Sequence, residues 1–118
     1  MALAAAFFLV SLLNGTQWVA PPPADQTLSF KDGKIATFTG CNRGFGSYIE
    51  GDDGASLTIS LLGSTKMACE EAAMKAEADW IALMAKVKTY ALEDNELLLL
   101  DEAGETLAKL ALKAEISE

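Results

Sequence analysis

The sequence predicts an α+β fold that is mostly β. The expected architecture is an antiparallel meander curled into a small barrel or half-barrel, with one α-helix over about residues 70–88 packed against it. Three observations carry this. Short runs of alternating apolar and polar residues recur along the chain, separated by turn residues at intervals of about 8–12 positions. One stretch rich in Ala, Glu, Lys and Met, with no Gly or Pro, interrupts them late in the chain. And 118 residues, 51% of them hydrophobic, suffice for one domain with one core.

Taken in order, the first strand is expected over Leu12–Ala20, stopped by Pro21-Pro22-Pro23, which cannot continue a sheet interior. Thr27–Lys31 and Lys34–Thr39 flank Asp32-Gly33, the strongest hairpin signal in the chain. Gly40 to Gly46 reads as a glycine-rich loop, Ser47–Glu50 as a short strand, and Gly51-Asp52-Asp53-Gly54 as a turn. Ser56–Leu62 alternates cleanly, with Leu57, Ile59 and Leu61 on one face. Gly63 breaks that strand, and Ser64–Ala68 is a short extended piece.

The helix opens with Glu70 and Glu71 and closes with Lys86 and Lys88, each favourable to its dipole. Its expected core stripe is Ala73, Met74, Trp80, Ile81, Met84 and Val87. Thr89–Glu93, a turn at Asp94-Asn95, Glu96–Asp101, a turn over residues 102–105 and Thr106–Leu112 complete the meander, giving about seven or eight strands. Leu97 to Leu100 is apolar on both faces, so that strand is expected to be covered on both sides. Residues 12–112 are thus one domain, 113–118 a polar tail, and 1–11 a separate apolar segment.

Composition excludes whole classes of function. Nine basic against seventeen acidic residues give a net charge of −8, which opposes a nucleic-acid or anionic-membrane partner. The chain has no His, so Ser-His, Cys-His and His-metal arrangements are out. Residues 1–11 carry no charge and fit the apolar part of an export signal, although no Lys or Arg precedes them. The apolar run is too short for a transmembrane span, and no Cys follows it for lipid attachment.

No constellation of residues assigns a reaction. Cys41 lies beside Arg43, Ser64-Thr65-Lys66 has the outline of a Ser-Lys pair, and Asp52-Asp53-Gly54 resembles a fragment of a calcium loop. Each reads more simply as a structural Cys, a strand and a hairpin turn. No catalytic, cofactor or metal residue is assigned. Cys41 and Cys69 are not a C-x-x-C pair, and three readings stay open: a disulfide, two buried thiols or one reactive thiol. A bridge would close a loop of roughly 29 residues, worth about 3.5 kcal/mol on the chain-entropy argument.

Two separated segments carry a resemblance. Gly40-Cys41-Asn42-Arg43-Gly44-Phe45-Gly46-Ser47-Tyr48 has the form G-C-N-x-x-x-G-x-Y, and Thr65-Lys66-Met67-Ala68-Cys69 the form T-x-M-A-C, followed by a helix with Glu77 and Trp80. In this order they resemble the META domain family, which includes the bacterial heat-shock protein HslJ. The resemblance covers about residues 12–112 and implies a small β-barrel-like fold with one helix. The signature residues are Gly40, Cys41, Asn42, Gly46, Tyr48, Thr65, Met67, Ala68 and Cys69. The resemblance also implies that Cys41 and Cys69 pair as a disulfide.

The function implied by the resemblance is that of a non-enzymatic, envelope-associated stress-response or binding module. It is expected to be a monomer in the periplasm, the envelope or the secreted fraction, with an envelope protein or a small apolar ligand as partner. The alternatives are a pilot-like secretion accessory that binds a lipid or peptide in a groove between helix and sheet, and an inhibitor of a secreted hydrolase. Asn42 is expected to sit in a left-handed turn and bond its local backbone.

Overall fold

The computed structural model describes residues 12–22 and 24–115; the apolar segment read as a signal remnant, 1–11, lies outside them, as do 116–118. Among the described residues eight strands form a single antiparallel sheet: β1 (Thr16–Val19), β2 (Thr27–Lys31), β3 (Lys34–Phe38), β4 (Arg43–Glu50), β5 (Leu57–Ser64), β6 (Thr89–Glu93), β7 (Glu96–Leu100) and β8 (Thr106–Glu115). One helix, α1 (Glu71–Lys86), connects β5 to β6. The order across the sheet is β5-β4-β3-β2-β1-β8-β7-β6, so the first and last of these strands pair in its interior.

The expected mostly-β fold with one helix is the observed one, and the sheet is curled but not closed. Its two edge strands meet at one end only, through a bridge between Ser56 and Thr89 and the bonds Leu57 N to Lys88 O (3.0 Å) and Tyr90 N to Ala55 O (2.8 Å). A side-chain tie reinforces this seam: the Tyr90 hydroxyl donates to Glu50 Oε2 at 2.5 Å. Burial, then the adjacent carboxylate, push the Tyr90 phenol well above its ordinary pKa, so it remains a donor throughout the physiological range. Tyr90→Phe is expected to cost about 1–2 kcal/mol in urea unfolding, since it strands part of the Glu50 carboxylate.

The core is the concave face of the sheet. Leu28 and Phe30 of β2, Ile35 of β3, Tyr48 of β4, Leu57 and Ile59 of β5, Leu97 and Leu99 of β7 and Leu110 of β8 are all buried there. Helix α1 adds Trp80, Met84 and Val87 just beyond its end. The Trp80 indole N–H donates to Thr37 Oγ1 at 2.8 Å, and Thr37 in turn donates to the Thr27 carbonyl, so the deepest polar groups of the helix–sheet contact are partnered.

Several boundaries differ from the sequence reading. Strand β1 begins at Thr16, not Leu12, because Thr16 donates both its N–H (3.1 Å) and its hydroxyl (2.6 Å) to the Leu13 carbonyl and closes a turn there. Strand β4 begins at Arg43, so the glycine-rich stretch is mostly strand. Strand β8 continues to Glu115 because it keeps pairing with Thr16 and Gln17. Met74 and Ile81, expected in the helix core stripe, are 47% and 40% exposed. The face that meets the sheet is narrower than the apolar pattern, and it follows Ala73, Ala76, Glu77, Trp80 and Met84. On β7, Leu97 and Leu99 are fully buried while Leu98 and Leu100 are half-buried.

Candidate functional site

The signature segments meet at one end of the sheet. The link from β3 to β4 is a tight loop, Thr39–Asn42, closed by Thr39 N to the Asn42 carbonyl at 2.9 Å. Gly40, not Asn42, takes the left-handed conformation, with φ of +104°, and a Cβ at Gly40 would contact Ala76 of the helix at 3.6 Å. Glycine thus serves both the turn and the approach of α1. Cys41 is 3% exposed and forms a disulfide with Cys69, which sits just before α1. The bridge therefore pins the loop to the root of the helix.

The Asn42 side chain, expected from the sequence to bond its local backbone, instead reaches across to the second segment. Its Oδ1 accepts from Met67 N (2.7 Å) and the Thr65 hydroxyl (2.8 Å). Its Nδ2 donates to the Met67 carbonyl and to Glu77 Oε2, each at 3.3 Å. The amide orientation is unambiguous: reversing it would set an NH2 group against the Met67 N–H. Both lone pairs and both protons of the side chain are used, which fills its inventory. The Thr65 hydroxyl also accepts from Arg43 N (3.1 Å), and Thr65 N donates to the Arg43 carbonyl (2.9 Å).

Two residues outside the signature complete the arrangement, Thr39 and Glu77. Glu77 Oε1 receives the Thr39 hydroxyl at 2.5 Å and Asn42 N at 3.1 Å. The Asn42 carbonyl is 2.9 Å from the same hydroxyl, and the single hydroxyl proton goes to the closer, charged Glu77 oxygen. The Thr39 hydroxyl, with Asn42 adding, holds the Glu77 carboxyl below its ordinary value against an opposing effect of burial. A signal for Glu77 is present in the sequence. It lies four residues after Ala73 and three before Trp80, so it is an acid on the core face of an otherwise apolar stripe.

This carboxylate gives the fold a pH dependence of definite sign. A folded-state pKa below the unfolded value of 4.5 means that its contribution is fully present above that value and is lost as pH falls through the folded pKa. Glu77→Gln is expected to cost about 1–2 kcal/mol at neutral pH and to flatten the loss of stability as pH falls from the unfolded value of 4.5 through the folded one. Urea midpoints across that range check both. An unchanged acid limb in the variant would assign it to other carboxylates.

The remaining signature residues are not part of this cluster. Tyr48 packs edge-on against Phe30 in the core, with ring centroids 4.9 Å apart. Gly46 lies in β4, where that strand crosses closest to β5. Ala68 is exposed, and Met67, bonded through its backbone, leaves its side chain 61% exposed. The Asp53 carboxylate, in the turn with a calcium-loop outline, accepts from Ala55 N, Ser56 N and Ser56 Oγ, which lower its pKa to about 2. It closes its own turn. A separate cleft of about 390 Å³ opens between β5 and α1, lined by Ile59, Ser60, Leu61, Ile81, Met84 and Ala85.

The META domain family model matches residues 2–114. No curated protein matches the sequence. Among solved structures, the chain is similar to a protein from Burkholderia xenovorans at 23% identity and a TM-score of 0.71, covering 94% of this chain and 88% of that one. It is also similar to a DUF4847 family protein from Bacteroides vulgatus at 11% identity and a TM-score of 0.66, covering 91% and 97%. These likenesses show a shared fold.

Proposed function

The chain belongs to the META domain family, and on that premise we propose that it is a non-catalytic binding or stress-response module of the bacterial cell envelope. The observation that carries this reading is that the thiols, the Asn42 amide and the Glu77 carboxylate at this junction are engaged in holding it together. The two thiols are joined, the Asn42 amide is saturated, and the Glu77 carboxylate is occupied by Thr39 and Asn42. A nucleophile or general base needs a free lone pair near a site for substrate, and here the lone pairs hold three segments together. The disulfide supports an oxidising compartment. No helix among the described residues is long and apolar enough to cross a membrane.

The test has two arms. Purified protein is incubated with ester, peptide and glycoside substrates, and a photo-crosslinking residue is placed at Met67 in the native envelope. The expected result is no turnover and a discrete crosslinked partner. Turnover that disappears in a folded Cys41→Ser variant would overturn the reading.

The cleft between β5 and α1 favours a second reading, a secretion accessory that holds a lipid chain or an apolar peptide side chain. Native mass spectrometry of protein taken from cells checks it, with a co-purified lipid or peptide expected. Its absence, together with unchanged behaviour of Ile81→Asp, would remove this reading.

A further inference from the structure

Charge is distributed unevenly over the surface. Along β2, β3, β4 and β5 the residues opposite the core face are Thr27, Ser29 and Lys31; Lys34, Ala36 and Phe38; Arg43, Phe45, Ser47 and Ile49; and Thr58, Ser60 and Leu62. In a chain with seventeen acidic and nine basic residues, the described residues of this outer face include three cations and not one carboxylate. Glu50, the single acid within these strands, follows the inward positions of β4 and bonds Tyr90. The nearest acids in sequence are Asp32 and Asp52-Asp53, in the turns at one end, and Asp25, two residues before β2 at the other. At the other end Arg43 is joined by Lys66 and Met67, both exposed, on the segment that Thr65 holds against it.

The same face is apolar where it need not be. Ile49 and Leu62 are each 72% exposed and Phe45 56%. Phe45 has one structural task, since its ring lies over Gly63, where a Cβ would meet it at 2.8 Å. That explains an aromatic residue there but not the two aliphatic ones. Exposed apolar side chains flanked by cations on a strongly acidic protein are the pattern of a recognition surface.

We infer that the outer face of β3–β5, centred on Arg43, Phe45 and Leu62, binds an acidic protein segment that carries apolar anchors. Charge complementarity selects this occupant. A carboxylate-bearing segment is attracted by Lys34, Arg43 and Lys66 and repelled elsewhere by the net charge of −8, which directs it to this face. An anionic membrane is far larger than this face and meets the surrounding acidic surface as well, and the net charge disfavours general association between copies. The inference deepens the binding-module reading by naming the partner's chemistry.

The probe is a short synthetic peptide with Asp and Glu around a central Phe and Leu, with a Lys-for-acid version as control, read by fluorescence anisotropy on the full chain. Binding of the acidic peptide alone is expected, weakening at least about tenfold between low and physiological salt. Lys34→Glu with Arg43→Glu, and separately Ile49→Ser with Leu62→Ser, should each weaken it at least about tenfold. Lys109→Glu, exposed on β8, should not. All these sites are at the surface, so thermal midpoints should hold and confirm folding.

Equal binding of both peptides, or insensitivity to the two double variants, overturns the inference. So does stronger binding to phosphatidylglycerol vesicles, or self-association in sedimentation that Ile49→Ser with Leu62→Ser abolishes. None of these results bears on turnover, so a failure here is distinguishable from a failure of the non-catalytic reading.

Discussion

Gly46→Ala is expected to destabilise the domain by about 3 kcal/mol or more, and to lower its thermal midpoint by roughly 12 °C. A Cβ at this position would overlap the Ser60 carbonyl oxygen and lie 2.9 Å from both Ser60 C and Leu61 Cα. All three obstacles are backbone atoms, so no rotamer change relieves them. The register between β4 and β5 shifts between Phe45 and Gly46, and this irregularity brings the two backbones together. Accommodating a methyl group means separating β4, which carries Arg43, from β5, which leads into Thr65. Gly63→Ala is the discriminating control. Its Cβ would meet the Phe45 ring at 2.8 Å, but that ring is on the surface and can swing aside, so about 1 kcal/mol is expected. Comparable losses at the two positions would contradict the account.

Gly46 also shows what a sequence can and cannot disclose. Its place in the motif is legible, but the reason is not, because the clash is with a strand more than ten positions away. Local chemistry is the legible part. Asp32-Gly33 and Asp94-Asn95 both form tight turns with positive φ at both positions, as those dipeptides favour. The single helix stands within two residues of its expected limits. Long-range pairing is the part that stays hidden. Strand β8 runs past its apolar pattern because β1 continues to pair with it, and hydrophobic periodicity carries no record of that. Glu77 is visible as an acid on an apolar stripe, yet its partners Thr39 and Asn42 are 38 and 35 residues away. Local bonding is the expectation for Asn42, since Asn in loops commonly does this; here Gly40 takes the turn and frees the amide to bridge segments.

Replacing both cysteines, Cys41→Ser with Cys69→Ser, is expected to cost about 3.5 kcal/mol and roughly 15 °C, without unfolding the domain. The bridge closes a separation of 28 residues, and its loss returns that entropy to the unfolded chain. In the folded state the same segments remain tied by Asn42 to Thr65 and Met67, and by Glu77 to Thr39 and Asn42. Cystine and hydrogen bonds therefore hold one junction twice. Two consequences separate this from a simple loss of a crosslink. Amide exchange at Met67 N, which donates to Asn42 Oδ1, should quicken more than exchange in β7, since the unpinned segment opens on its own. And Asn42→Ala, expected to cost about 3 kcal/mol alone by stranding Met67 N and part of Glu77, should not add to the double replacement. The triple variant should depart from the sum by at least about 0.5 kcal/mol, because both changes release the same segment. Strict additivity would mean that the disulfide and the Asn42 amide act on separate parts of the fold, and that the junction at the root of α1 is not a single unit.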